Sequence, residues 1–499
     1  GMQDFGSWKG PSTKKGRFPI RFEDWEHVNG GDGFYNQVDP EDSRWLYSGS
    51  QFGHITRIDQ KTGRRQTIVD DGDPERRYNW NTPLLISPHD NETLFVGAER
   101  VLRSDDRGDS WTVVSPDLTR QDASKFDGIG AVRYGTITTI DQSPLDAAVL
   151  WAGTDDGNLH VSRTGGDDWV DRTEVIVSAG TVDGYWASRV EASHHDPAVA
   201  YVTFTGLHRD DPQPLVFRTG DYGATWNPLS DGLPAAAVNV IQEDRRNADL
   251  LFLGNDVGVF VSLDRGASWQ RMNAGLPTVA VHDLVVHPRE NDLVGGTHGR
   301  GVFVADISPL QELTAEVAAS DAHLFEIEPV VQWVMTAQPA VSAQNFAGEN
   351  APHAAVVYYS LGDERPNGVV IRVWDGEDLL WETTGPGSVG LNRVEWGMHR
   401  RRARSPEEIE EWDREQEWLA EDVEFFDYYD TVEGYPEPGE EVDPLGRSLR
   451  TRVHQPPDAT DRDWVYTRVA PGEYRVTLEV GGETLERAVW ILEDTWFDD

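Results

Sequence analysis

The sequence predicts an all-β fold, a β-propeller followed by an immunoglobulin-like β-sandwich with a helical insertion. Three observations predict it. A short segment built on an apolar pair and a glycine returns six times within the first 310 residues. An eight-residue pattern, "SLDRGASW" at 262–269, has close copies in "TGDYGATW" at 219–226 and "SDDRGDSW" at 104–111, and a weaker one in "SRTGGDDW" at 162–169. Beyond about residue 350 the repeats give way to alternating strands separated by glycine turns.

Aligned on the glycine, the repeated segment reads "LYSGSQFGHITRID" (46–59), "LFVGAERVLRSDD" (94–106), "LWAGTDDGNLHVSRT" (150–164), "LFLGNDVGVFVSLD" (251–264) and "LVGGTHGRGVFVAD" (293–306). A sixth, looser copy with a longer loop spans 200–221. Period-two alternation on both sides of a tight polar turn predicts a hairpin. A further short strand precedes each hairpin, as in "ITTIDQSPLD" and "VNVIQEDRRN", and usually a fourth follows the boxed pattern. Four short strands in a unit repeated every 40 to 60 residues predict propeller blades. Residues 1–310 are therefore assigned to about six blades. The opening "GMQDFGSW" reads as a strand left from a preceding blade. It is expected either to complete the last blade beside "GVFVADI" or to need an N-terminal companion segment or chain.

In the boxed pattern Asp106, Asp221 and Asp264 can accept backbone N–H bonds within a turn. Gly108, Gly223 and Gly266 permit positive φ, and Trp111, Trp226 and Trp269 supply large rings to bury. The role assigned to these residues is structural. The pattern resembles the Asp-box of bacterial neuraminidase (BNR) repeats. Together with "NWNTPLLISPHD", "YGTITTIDQSP", "VHDLVVHPREND" and "GTHGRGVFVADISPL", it makes nearly the whole chain resemble the C-terminal portion of bacterial sortilin-like proteins with such repeats. That resemblance implies a secreted or periplasmic protein. Such relatives are often called glycosyl hydrolase-like on their repeats alone. The xyloglucanase family is a more distant look-alike, and no motif carries its catalytic residues onto this chain.

Residues 311–350 read as a transition and 351–499 as the sandwich, from "APHAAVVYYSL" to "ERAVWILED". An acidic insertion at about 398–465 interrupts it. There Ser405, Pro406 and Glu408 form a capping-box signature for a helix of about five turns bearing Trp412, Trp418, Leu419, Phe425 and Phe426.

Composition narrows the function. The 499 residues carry 87 Asp and Glu against 44 Lys and Arg, a net charge of −43 that repels phosphate backbones and anionic lipid. Only five of the cations are Lys, a bias that suits a saline, halophilic setting and equally a genome that favours Arg codons. With no cysteine, disulfides, thiolate metal sites and a Cys nucleophile are excluded. No apolar run is long enough to span a membrane. No cofactor and no metal site is expected; the adjacent His194 and His195 read as a surface turn.

Propeller chemistry collects where second-to-third-strand turns and fourth-to-first connections share one face. There the sequence offers Trp80, Asn81, Tyr134, Trp186, Arg189, Asn255, His282, His298 and Arg300 as ligand-binding residues. Asp155, Asp156 and Asp256 are weak catalytic candidates, since each is also good turn chemistry. Stacking rings with polar edges suit a protein, peptide or glycan ligand. The leading expectation is non-catalytic binding. The alternatives are a glycoside hydrolase or lyase acting on polysaccharide, which needs a spaced carboxylate pair, and a structural subunit of a larger assembly.

Overall fold

The computed structural model describes residues 1–15, 19–70, 72, 76–126, 133–272, 275–333, 347–416 and 462–495. The chain divides into two compact units, one of residues 1–10 and 25–315, the other of 11–24 and 316–499. Residues 11–24 thus group with the second unit, although the sequence places them with the repeats.

The first unit is a succession of antiparallel sheets, as in a β-propeller. Five have four strands in sequential order and a sixth has three. The first sheet comprises Asn36–Val38, Trp45–Ser50, His54–Asp59 and Arg65–Val69. Those that follow open at Leu84, Ile137, Trp186, Val238 and Val281. The sixth lacks a fourth strand among the described residues: after Val302–Asp306 the chain enters a short helix, Ser308–Glu312.

The repeated glycine is explained by close approach. A Cβ on Gly97 would lie 2.8 Å from Ile137 and Pro83, and one on Gly153 would lie 2.5 Å from Ala187. At these positions and at Gly254 the next sheet's first strand passes so near the second strand that only hydrogen fits. Face-to-face packing forms five apolar clusters, each joining one sheet to the next: Ile55 with Leu84, Val101 with Ile137, Leu159 with Ala187, Val216 with Val238, and Val259 with Val281.

Polar clasps register the sheets. The Ser87 hydroxyl donates to Gln142 (2.7 Å) and the Ser193 hydroxyl to Glu243 (2.7 Å). Two residues beyond each serine, His89 Nε2 pairs with the Ser143 carbonyl and His195 Nε2 with the Asp244 carbonyl, both at 2.8 Å. The histidine pair in "SHHD" is therefore half of an inter-sheet clasp, not a simple surface turn.

The boxed turns close the third and fourth strands. Asp264 accepts from the Ser262 hydroxyl (2.7 Å), the Ser268 amide (2.8 Å) and the Ser268 hydroxyl (2.6 Å). Asp106 and Asp221 repeat this pattern. Trp111 and Trp269 donate their indole N–H to carbonyls of the preceding sheet, Ile68 and Leu229. Trp226 is buried edge-on against Trp151. In the weak copy Thr164 replaces the aspartate, its hydroxyl accepting from the Asp168 amide.

One expectation for the N-terminus is not met. Ser7–Lys9 does not join the sixth sheet but pairs antiparallel with Glu26–Asn29. The reason is packing: Val28 of that ribbon is buried with Leu46 and Ile58 of the first sheet.

In the second unit, a three-stranded sheet (Ala322–Leu324, Ala355–Leu361, Gly390–Trp396) and a five-stranded sheet share one core. Val357, Tyr359 and Trp396 from the first meet Ile371, Val476 and Val489 from the second, so the unit is a two-sheet β-sandwich. The acidic insertion opens with His399–Ala403, paired antiparallel with Trp464–Arg468, and a helix follows at 406–416. Its capping box forms as the sequence predicts, with the Ser405 amide donating to Glu408 and the Glu408 amide donating to the Ser405 hydroxyl. Trp418, Leu419, Phe425 and Phe426 lie outside the described residues. No helix among the described residues is long and apolar enough to cross a membrane.

Candidate functional site

Antiparallel order places the second-to-third turns and the fourth-to-first connections at one end of the sheets. Backbone bonds tie the two sets together: the amides of Asp155, Asp256 and His298 donate to the carbonyls of Thr136, Ala237 and Ala280. The same register position thus holds a carboxylate in two sheets and an imidazole in a third.

The three candidate carboxylates differ. Asp155 is fully buried, and its oxygens accept from the amides of Gly135 and Thr136 (both 3.0 Å) and the Thr136 hydroxyl (2.6 Å). Burial raises its pKa to about 7 despite these bonds. Asp156, also buried, accepts from the Thr154 hydroxyl (2.5 Å) and the Arg120 amide (2.8 Å). Both lock loops. Only Asp256 keeps partial exposure, holding a 3.1 Å bond from Asn239.

The ligand-binding candidates divide as well. Asn255 is buried and its side chain caps the following turn, accepting from the Val257 amide (3.0 Å). Arg189 is ion-paired with Asp283 at 2.5 Å, 94 residues away, with the Tyr35 ring 6.0 Å from its guanidinium. Arg189 and Asp283 of the fourth and sixth sheets' first strands thereby converge with Tyr35, which immediately precedes the first strand of the first sheet. Trp80 is half-buried edge-on to Phe52, at 5.1 Å between centroids, and Asn81 beside it is exposed. Tyr134 is half-buried; burial, then the charges of Asp155 and Asp156, push its hydroxyl pKa up to about 12. Trp186 stacks on His208 at 4.4 Å. His282 and His298 are exposed neighbours with rings 5.1 Å apart and 30° from parallel, and Arg300 is exposed beyond them.

Sequence reasoning missed Phe52 and His208. Phe52 holds a left-handed φ of 57°, unusual for an aromatic residue. Its signal was the doublet Phe52-Gly53 in a turn where one glycine would suffice. His208 belongs to the long loop that made the fourth repeat the loosest.

No known family description matches the chain, and no curated protein matches it. Its fold is similar to solved β-propeller structures. An ancestral GH74 enzyme shares 13% identity at a TM-score of 0.37, covering 62% of this chain. The GH74 xyloglucanase from Xanthomonas campestris shares 14% at 0.38, covering 77% of this chain and 68% of its own. YCF48 bound to D1 peptide shares 12% at 0.38, covering 65% of this chain and 90% of its own. The chain spans 38% of the length of the ancestral enzyme. At these scores the likenesses carry no functional argument.

Proposed function

We propose that the chain is a non-catalytic binding protein whose turn-bearing propeller face takes a peptide or glycan, acting in a secreted or periplasmic setting. In this reading the first unit is a propeller of Asp-box blades of the sortilin-like type, and the sandwich is immunoglobulin-like. One observation carries it. Two of the three candidate carboxylates are spent on loop bonds, whereas rings and Arg300 on the same face stay accessible. Asp155 and Asp156 are buried with their oxygens occupied. That leaves Asp256 as the accessible member of the three, and glycoside hydrolysis by two carboxylates needs a pair. Trp186 with His208, Trp80 with Phe52, and His282 with His298 supply stacking surfaces edged by Arg300.

A glycan and peptide array probed with the intact protein tests this. Binding to a defined ligand class, lost in Trp186→Ala and His208→Ala proteins that melt like the parent, supports it. An array without binders, or binding that both variants retain, refutes it.

A further inference from the structure

Arg189 has more donors than acceptors. Its side chain, 17% exposed, stands on Trp186–Ala192, the first strand of the fourth sheet. Nη2 donates at 2.5 Å to Asp283 Oδ1 on Val281–Val286, the first strand of the sixth sheet, so the bond joins sheets that are not consecutive. Asp283 is the more solvated partner, its side chain 52% exposed. Arg189 Nε is buried and has no acceptor among the described residues, although buried donors ordinarily have one.

Two carboxyls lie beside it. Glu191, two residues on and so on the same face of the strand, is buried and accepts from the Gln242 side-chain amide (2.7 Å). Asp141 of the third sheet accepts from the backbone amides of Ala192 (2.7 Å) and Gln142 (2.9 Å). Burial pushes both carboxyls up, Asp141 to about 7, and the Arg189 charge opposes the shift in each. The surrounding groups do not take over this role. Burial raises the Tyr35 hydroxyl, and His194, 3.8 Å from Glu191, is held down to about 4, chiefly by burial, so both are neutral near pH 7. The Glu243 carboxylate already accepts from Ser193, His194 and Tyr201. Arg245, a second cation acting on Asp141, is exposed.

We propose that Arg189 is a pH-driven latch: while Asp141 and Glu191 hold their protons it ties the fourth sheet to the sixth through Asp283, and the negative charge they gain as pH rises draws the guanidinium off Asp283. A buried carboxylate without a cation is costly, and its attraction for Arg189 in low dielectric exceeds that of the solvated Asp283. The unmatched Nε–H supplies the bond that receives it. The two tied strands also carry Trp186 and His282, so the latch sets how firmly these two stretches of the turn-bearing face are held together.

The test is the cost of Asp283→Asn in the full chain, read by calorimetry at two pH values. It should lower the first unit's transition by about 2–4 °C at about pH 5.5 and by less than half of that at about pH 8.5. With Asp141→Asn and Glu191→Gln in place no charge develops beside Arg189, and the cost should be the same at both. His282 and the Gly1 amino group also act on Asp283 and change charge with pH; that background keeps both, so it separates their effect from the latch. If it does not fold, Asp141→Asn alone replaces it. In Arg189→Met, Asp283→Asn should cost little at either pH. Equal costs at both pH values without the background substitutions, as expected if Arg245 answers the new charge, would overturn the proposal. So would a pH dependence that survives in the background, or a full cost in Arg189→Met.

Discussion

Glu243 should be a keystone of the first unit, and Glu243→Ala measures how much the inter-sheet clasps contribute. The carboxylate is buried and accepts three bonds from the preceding sheet: the Ser193 hydroxyl (2.7 Å), the His194 amide (2.6 Å) and the Tyr201 hydroxyl (3.0 Å). Alanine leaves all three donors without their acceptor. At about 1–3 kcal/mol for each buried unsatisfied group, and allowing for partial rearrangement, the loss is about 3–6 kcal/mol. One effect opposes it. The Glu243 charge helps to hold the pKa of Glu191 above its usual range, behind burial and Asp141, so removing that charge relieves part of that repulsion. The unmet donors win, for a net loss of about 2–5 kcal/mol. At about 2 °C per kcal/mol for a unit of this size, the first unit's calorimetric transition should fall by about 4–10 °C, with the sandwich transition unmoved. Glu243→Gln keeps an oxygen for Ser193 and His194 and should cost about half as much. An alanine variant within 1 °C of the parent, or a glutamine variant as damaged as alanine, would refute the clasp.

Three further predictions concern turns, pH and salt. Asp264 is exposed, so Asp264→Ala should cost only about 1 kcal/mol, whereas Ser262→Ala, which removes the buried acceptor of the Gly266 amide (2.7 Å), should cost about 1–3 kcal/mol by urea denaturation; the reverse order would contradict the turn geometry. Burial, partly offset by amide bonds from Ala192 and Gln142, lifts the Asp141 pKa, and burial with the Asp141 charge lifts that of Glu191. For carboxyls raised in the fold, stability is greatest below the unfolded pKa of about 4 and is lost as pH rises through the folded values. Asp106, held down to about 2 chiefly by Ser110, has the opposite sign and loses its contribution as pH falls from about 4 toward 2. Melting temperature should therefore peak at mildly acidic pH and decline toward pH 8, less steeply in Asp141→Asn; an unchanged slope in that variant would remove the assignment. With a charge of −43, melting temperature should rise from low to molar NaCl, and a flat response would count against self-repulsion and a saline setting.

Local chemistry was legible in the sequence, and pairing at a distance was not. The second-strand glycines and the boxed Asp and Trp residues each act within a few residues or on the adjacent repeat, so period and turn chemistry reveal them. Asp155 and Asp156 show the limit. An acidic doublet before a glycine looks the same whether it serves catalysis or holds loops, and its donors, Thr136 and Arg120, lie 19 and 36 residues away. Ser7–Lys9 is too short for its alternation to choose between two possible edges, and burial of Val28 decides it. The clasp was present as "SPHD" and "SHHD", but its histidines meet backbone carbonyls that any residue could provide, and its side-chain acceptors Gln142 and Glu243 lie about 50 residues away.

The most direct test of the central claim pairs affinity with turnover. The intact protein is titrated with the strongest array ligand by calorimetry, and the same mixture is followed by mass spectrometry for cleaved product. Three proteins are compared: the parent, Trp186→Ala and Asp256→Asn, the last removing the accessible candidate carboxylate. Binding through the turn-bearing face predicts an affinity reduced about two- to tenfold in Trp186→Ala, as expected for a stacking contact of about 0.5–1.5 kcal/mol. It also predicts affinity retained in Asp256→Asn and no product from any of the three. Product formed by the parent and abolished in a folded Asp256→Asn protein would contradict it.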